Sequence, residues 1–449
     1  MKKKILFTLV GVFLICFISF WIIVSGGYDR QNKTILFIKK IIPRHLARKV
    51  RDTVFIIPNL KERNKILTLQ VQKYEQGLEG NLFKEDIIES NNKKKFTVKE
   101  FFLPFPRLDT RLGWAATENS KRAHYLEIID DKVLVISGLG QTIFFQKQNI
   151  NKKKLDQIEI KNNINQFLKN NDYELIGIRD LFFEDGYVYI SLQHKDNKGF
   201  TINIYRARLN FKELNFEPFF ITNEYWSKYN VFSGGRIERY KGNNILFSIG
   251  FSNIRPKAQD KNSLLGKIIS INKNNANYEL ISLGHRNPQG LYYEKEKNLI
   301  INTEHGPKGG DEININFLKN KTNIPNYGWA VASYGKPYRG KDVFKKSHSK
   351  YGFLEPFRQY TPSIGISEIL YLSKRKNLDK TKNNLYVSSL RAGSIYIIEI
   401  DSEFTKIIEE DRIFFQEQRI RDIEFDEELG VFFLLFEFTP SIGILYPSN

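Results

Sequence analysis

From about residue 97 the chain alternates short apolar runs, rich in Ile, Val, Phe and Tyr, with polar turns. The runs are too short for helices, and their β-branched and aromatic content predicts strands. One unit recurs: an apolar strand, a polar turn and a second apolar strand. It reads Leu126–Ile129 with Val133–Ile136, then Leu181–Phe183 with Tyr187–Ile190, then Ile237–Tyr240 with Ile245–Phe247. It continues as Leu291–Tyr293 with Leu299–Ile301, Ile369–Leu372 with Leu385–Val387, and Ile423–Phe425 with Val431–Leu435. The residues just before the second strands are Lys132, Gly186, Asn244, Asn298, Asn384 and Gly430, near-evenly spaced except for one long interval from Asn298 to Asn384. Six similar all-β units predict a six-bladed β-propeller, where radial packing buries both faces of each small sheet. A pair of β-sandwiches is the other all-β reading. The long interval is where an insertion would carry a site on one face.

The first hundred residues have a different texture. Lys2-Lys3-Lys4 precede an uncharged run from Ile5 to Val24, and about 20 apolar residues suffice to cross a bilayer as a helix. The run is long for a signal-peptide core and ends without a small-x-small pattern. Residues 1–27 therefore predict an uncleaved signal anchor, a transmembrane helix, with cleavage near Gly26 as the alternative. The leading lysines put the amino end in the cytoplasm and the body outside it, periplasmic or extracellular. Arg30, Lys33, Lys39 and Lys40 on the far side oppose that orientation. Pro43 and Pro58 cut the next region into short pieces. Asn59–Leu78 has helical composition, with Leu60, Ile66, Leu67 and Val71 on one stripe, and Asn91–Lys95 reads as a linker. Residues 28–95 thus predict a short helical or irregular stalk ahead of a propeller domain over 96–449.

A net charge of +19 raises nucleic acid or anionic lipid as partners. The lysines are scattered among asparagines, however, and form no basic stripe interleaved with aromatics. A solvated surface and no nucleic-acid partner are expected. The single cysteine, Cys16, excludes an internal disulfide and a cysteine zinc cluster.

Three polar, glycine-rich loops lie close together in sequence: Gly284-His285-Arg286-Asn287-Pro288-Gln289-Gly290, Glu304-His305-Gly306-Pro307-Lys308-Gly309-Gly310-Asp311-Glu312, and Asn326-Tyr327-Gly328-Trp329. Loops that gather arginine, histidine and carboxylates between strands are how a site is built on a rigid all-β scaffold. Farther on stands Arg419-Ile420-Arg421-Asp422, whose two arginines alternate on a strand and so share one side.

In this order the loops resemble those of the glucose/sorbosone dehydrogenases, six-bladed quinoproteins that use pyrroloquinoline quinone (PQQ). Asn262–Ile268, Thr361–Ile364 and Ser388–Gly393 resemble further stretches of that family, and the likeness covers roughly residues 120 to 447. The resemblance implies oxidation of a sugar or alcohol outside the cytoplasm, with PQQ and calcium. Arg286, Asn287, Arg419 and Arg421 would hold the cofactor, since guanidinium forks accept carboxylates bidentately. The carbonyls of Gly306 and Pro307 would hold the catalytic calcium, a hard ion that takes oxygen ligands. Asp311, Glu312 and Tyr327 match positions lining a second calcium in some relatives. Plainer readings stand beside these: an ion-pair network between blades for the arginines, and a wide loop with a solvated acidic pair for Gly306–Glu312.

The match fails at the base. The family carries His-x-x-Gly-Arg at the start of its third blade, and that histidine accepts the proton. Here the stretch is Phe232-Ser233-Gly234-Gly235-Arg236, with Phe232 in the histidine's place. Gly250-Phe251 stands where a Gly-Asp is usual. Neither ring can take a proton, and losing a general base costs on the order of 10²- to 10⁴-fold in rate. His305 is the remaining candidate. Two functions stay open: a PQQ-dependent dehydrogenase-like oxidoreductase, and a non-catalytic propeller that binds a sugar or an anionic ligand.

Overall fold

The computed structural model describes residues 80–105, 121, 123–228, 232–318, 323–338, 344–373, 375, 378–416 and 418–447. Residues 1–79 lie outside that set, and with them the signal anchor and most of the stalk. Among the described residues no helix is long and apolar enough to cross a membrane.

Among the described residues the strands form six sheets of four or five strands, antiparallel except where Glu213–Leu214 pairs in parallel with Ile158–Asn162 at the edge of the first blade. In five of them the inner hairpin is the unit seen in sequence: His124–Ile129 with Lys132–Ser137, Glu174–Glu184 with Tyr187–Asp196, Gly234–Arg239 with Asn244–Ile249, Pro288–Glu294 with Leu299–Glu304, and Ile366–Ser373 with Asn383–Ser389. The sixth is Ile420–Asp426 with Val431–Phe436. The innermost strands touch in sequence order and the sixth meets the first. The fold is a closed six-bladed propeller, as expected.

Both faces of a blade are buried against neighbours, so its second strand can be apolar at every position. Val431–Phe436 is buried throughout. Val431, Phe433 and Leu435 pack with Val133, Val135 and Phe145 of blade 1, while Phe432 faces the other way onto Tyr386 of blade 5.

The ring is closed by the two ends of the propeller sequence. Lys95–Phe102 pairs with Ser441–Pro447, Val98 opposite Leu445. Leu82–Glu89 then adds an outer fifth strand, paired with Lys95–Phe102. The stretch expected to end the stalk therefore belongs to this sheet. Its apolar pattern is diluted because it is an edge strand, and the linker-like Asn91–Lys94 is the turn of a hairpin, where Lys93 adopts a left-handed φ of 65°.

Candidate functional site

The loops before the innermost strands, and those joining second to third strands, come to one end of the propeller. That end gathers Phe232, Phe251, Arg286, Asn287, His305, Gly306 and Arg419. Main-chain bonds lock the loops together: Phe251 N donates to Arg286 O at 2.9 Å, Ser252 N to Phe232 O at 3.0 Å, and His305 N to Asn287 O at 3.1 Å.

Arg286 is 4% exposed. Its guanidinium lies over the rings of Phe232, Trp329 and Phe251 at 4.5, 5.2 and 5.7 Å. One amino group donates to the carbonyl of His305 at 2.6 Å, and Nε has no partner. Burial lowers its affinity for its proton, yet a guanidinium keeps its charge. The result is a buried cation held by aromatic faces, the His305 carbonyl and Tyr338, with the Nε N–H left open. A carboxylate ligand would satisfy it.

Glu304, passed over at the sequence level, sets the loop that carries Arg286. One carboxylate oxygen accepts the backbone N–H of Arg286 and that of Asn287, and the other meets His285 Nδ1 at 3.1 Å. Asn287 turns its amide oxygen to Gly234 N at 3.2 Å, tying blade 4 to blade 3. The signal for Glu304 was its place directly before His305 in the second loop.

Asp311 is fully buried, and its carboxylate is saturated by the protein. It accepts Gly306 N at 2.9 Å, Ser363 Oγ, Gly365 N at 2.7 Å and Ile366 N at 3.1 Å. It is the clamp that shapes the Gly306–Gly310 turn. That turn is so tight that a Cβ at Gly306 would collide with the carbonyl of Gly310. The segment 361–364 owes its motif to this clamp, and Arg391 and Ala392 donate their backbone N–H groups to Ile364 O. Lys267, in the other motif stretch, is a staple of the same kind: its buried ammonium donates to the carbonyls of Lys257, Ala258 and Leu265, and burial pushes it down to about 8.

Glu312 faces Glu304 across the second and third strands of blade 4. Burial first, and then the neighbouring Glu304, raise its carboxyl well above the usual range. The hydroxyl of Tyr327 donates to Ile315 O at 3.1 Å. Among the described residues no group of three or more His, Cys, Asp or Glu side chains could hold a metal ion. A cation would have to draw on main-chain carbonyls. Pro307 O already accepts a hydrogen bond from Tyr338 at 3.3 Å, a residue that sequence reasoning also missed.

Arg419 and Arg421 share one carboxylate, that of Glu437, at 2.7 Å from each Nε. Two cations meet one anion. Arg421 also donates to Gln289 Oε1 at 2.8 Å, and Gln289 contacts Asn287 at 3.3 Å. A chain of polar contacts thus runs from blade 6 through blade 4 to blade 3. Burial, with the charges of Arg421 and Arg286 acting the same way against Asp311, pushes His305 down to about 4. His305 is therefore neutral at pH 7, and its Nε2 has no partner. The charges of both guanidinium groups act on this one imidazole.

Phe232 stacks on Phe251 with centroids 5.5 Å apart. Trp329 meets Phe251 edge-on at 5.2 Å, and Phe344 and Ala258 complete the cluster. An apolar wall stands there, pressed against Arg286.

Residues 126–441 match the family model described as glucose/sorbosone dehydrogenase. Aldose sugar dehydrogenase YliI of Escherichia coli strain K12 is 30% identical over 232 residues, which is 48% of this chain and 60% of that protein. The match thus spans less than two thirds of that relative's length. A crystal structure of a glucose dehydrogenase superposes with a TM-score of 0.61 at 20% identity, covering 74% of this chain and 98% of that one. The PQQ-bound form of an aldose sugar dehydrogenase from Streptomyces coelicolor gives 0.51 at 18% identity, covering 72% and 92%. At these identities the structural likeness speaks for the fold.

Proposed function

The chain belongs to the glucose/sorbosone dehydrogenase family, and we propose that it is a PQQ-binding, sugar dehydrogenase-like protein whose quinone is held at the Arg286 end of the propeller. The observation that carries this reading is the guanidinium of Arg286, buried and with Nε open, near the charges of Asp311 and Glu304. Arg421 and Arg419 bring a second positive charge in excess of Glu437. PQQ is a planar tricarboxylate, so residues offering excess guanidinium charge beside aromatic faces fit it. Arg286 would pair with one carboxylate, Asn287 and Gln289 would orient the edge of the ring, and Glu304 would keep the loop rigid.

The carbonyls of Gly306 and Pro307 would supply a calcium ion with neutral oxygen donors, and Glu312 and Tyr327 would border a second. Asp311 serves this arrangement indirectly, by holding the turn. When bound, the quinone supplies a hydride acceptor for a sugar or similar alcohol. The protein's share of such a reaction is to accept the hydroxyl proton, and His305 is the neutral imidazole at hand. We also propose that the Ile5–Val24 segment anchors the protein, with the propeller outside the cytoplasm.

A second reading has a specific observation in its favour. Phe232 stacks on Phe251 beside Arg286, and if Phe232 stands where the family resemblance puts its base, the pocket would bind its anionic ligand without oxidising a sugar. One experiment separates the two. The full-length protein is titrated with PQQ in the presence of calcium, followed by absorbance, and then given aldoses and an electron-accepting dye. Saturable binding with dye reduction supports the dehydrogenase, and binding without reduction supports the second reading. Unchanged PQQ affinity in Arg286→Ala would reject the site itself.

A further inference from the structure

A cavity opens between blades 5 and 6, with a volume of about 200 Å³. Its lining shares no residue with the site above. Tyr386 and Phe432, with ring centroids 4.7 Å apart, belong to that lining together with Phe96. Four carboxylates, Asp379, Glu399, Glu409 and Asp411, line it against two ammonium groups, Lys94 and Lys382. On a chain of net charge +19 this is a local excess of negative charge.

The two lysines are already committed. Lys382 pairs with both Glu399 and Glu409, and the Lys94 charge acts on Asp379. Asp411 is the carboxylate left over. It is 2% exposed. Its Oδ1 accepts the backbone N–H groups of Asn92 and Arg412 at 3.0 and 2.7 Å, while Oδ2 has no partner. A buried carboxylate oxygen without a donor has lost its hydration and recovered nothing.

We propose that this cavity is a binding site for a small organic cation, an ammonium group carried on a compact apolar body. The ammonium would sit at Asp411 and Glu409, where it supplies the missing donor. The body would lie on Tyr386 and Phe432, whose ring faces attract a cation as well as apolar carbon. A bare hard cation fits less well, because it takes six to eight oxygens gathered around one point, and among the described residues no group of three or more His, Cys, Asp or Glu side chains could hold a metal ion. The size is suitable: a cavity of about 150 Å³ accommodates benzene.

The probe is benzylammonium, with benzyl alcohol as its neutral counterpart and calcium chloride as an inorganic cation, each titrated calorimetrically into the full-length protein. Saturable binding of benzylammonium is expected, at least tenfold tighter than benzyl alcohol. It should weaken about tenfold in Asp411→Asn and about threefold in Glu409→Gln, a half-exposed residue whose replacement leaves the core intact. It should be unchanged in Arg286→Ala, which keeps this outcome independent of the quinone reading. Equal binding of benzyl alcohol, displacement of the amine by calcium, absence of saturation, or full affinity in Glu409→Gln and Asp411→Asn would each overturn the assignment.

Discussion

Arg236 is the hub of the propeller axis, and its removal has a calculable cost. Its guanidinium pairs with Asp180 of blade 2 at 2.5 Å, Asp422 of blade 6 at 2.8 Å, and Glu368 of blade 5. Its Nε donates to Gln289 O of blade 4 at 2.8 Å, and the ring of Tyr125 of blade 1 lies 5.0 Å away. Arg236→Met keeps much of the volume and leaves three buried carboxyls facing one another. Removing one partner of a buried ion pair typically costs about 3–5 kcal/mol. The carboxyls can escape by taking protons. Even with Arg236 present, burial pushes Asp180 up to about 7 and Glu368 up to about 8. Without it both rise further above the ordinary values of 3.8 and 4.5. A carboxyl raised in the folded state contributes stability that is present below its unfolded value and lost as pH rises through the folded one. The variant should therefore lose about 3–5 kcal/mol at pH 8.5 and clearly less at pH 5. Urea unfolding followed by tryptophan fluorescence at both values measures this. A loss under about 1 kcal/mol at pH 8.5, or one that does not depend on pH, refutes the reasoning.

Glu238 follows Arg236 on the same strand, and burial raises both Glu127 and Glu424, aided by the charge of Glu424 at the former and of Asp422 and Glu238 at the latter. Burial pushes Glu238 up to about 8, so wild-type stability should fall as pH rises from about 5 through 8. Glu238→Gln should then gain roughly 1–2 kcal/mol at pH 9, discounting for water in the axial opening, and nothing at pH 5; equal denaturation midpoints at pH 9 would count against it. Phe232→His places an imidazole beside Arg286, and dye reduction by the PQQ-loaded protein should rise at least tenfold, below the 10²- to 10⁴-fold of a full general base because Phe251 stays in place; no rise would count against Phe232 as the base position. Phe433→Ala empties a site buried between blades 6 and 1 and should cost about 3–5 kcal/mol, read as an earlier urea midpoint.

The blades were legible because of where their strands sit. A strand such as Val431–Phe436, buried on both faces, must be an unbroken apolar run, and such runs separated by turns are visible without a structure. The outer strand Leu82–Glu89 was not legible, since an edge strand buries little and its residues alternate weakly. At the site, Arg286 and Asn287 could be picked out because they stand in a compact loop. Glu437 and Tyr338 could not, because their roles arise only when the chain brings residue 437 to Arg419 and residue 338 to Pro307. Asp311 shows a subtler limit. The family resemblance puts it beside a calcium, and the fold also uses it to join the Gly306 turn to Ser363, Gly365 and Ile366.

The stretch from Phe232 to Arg236 separates two kinds of constraint. Arg236 is held by five other blades at once, so no other residue type can replace its three ion pairs without a penalty paid in the fold itself. Phe232 touches Phe251 and Arg286, at the mouth of one loop. Changing it alters the chemistry available at that end and leaves the axis untouched. A propeller can therefore keep its ring, its clamp at Asp311 and its excess guanidinium charge while losing a proton acceptor. The arrangement of Phe232 beneath Arg286 adds a further consequence. An aromatic face against a guanidinium holds it in one orientation, so the Phe232 ring fixes the Arg286 cation. Phe232→Leu should accordingly loosen Arg286 and weaken PQQ binding about threefold to tenfold, in keeping with the roughly 0.5–2 kcal/mol of such a contact. If PQQ affinity measured by absorbance titration is the same in Phe232→Leu as in wild type, the ring is only a plug.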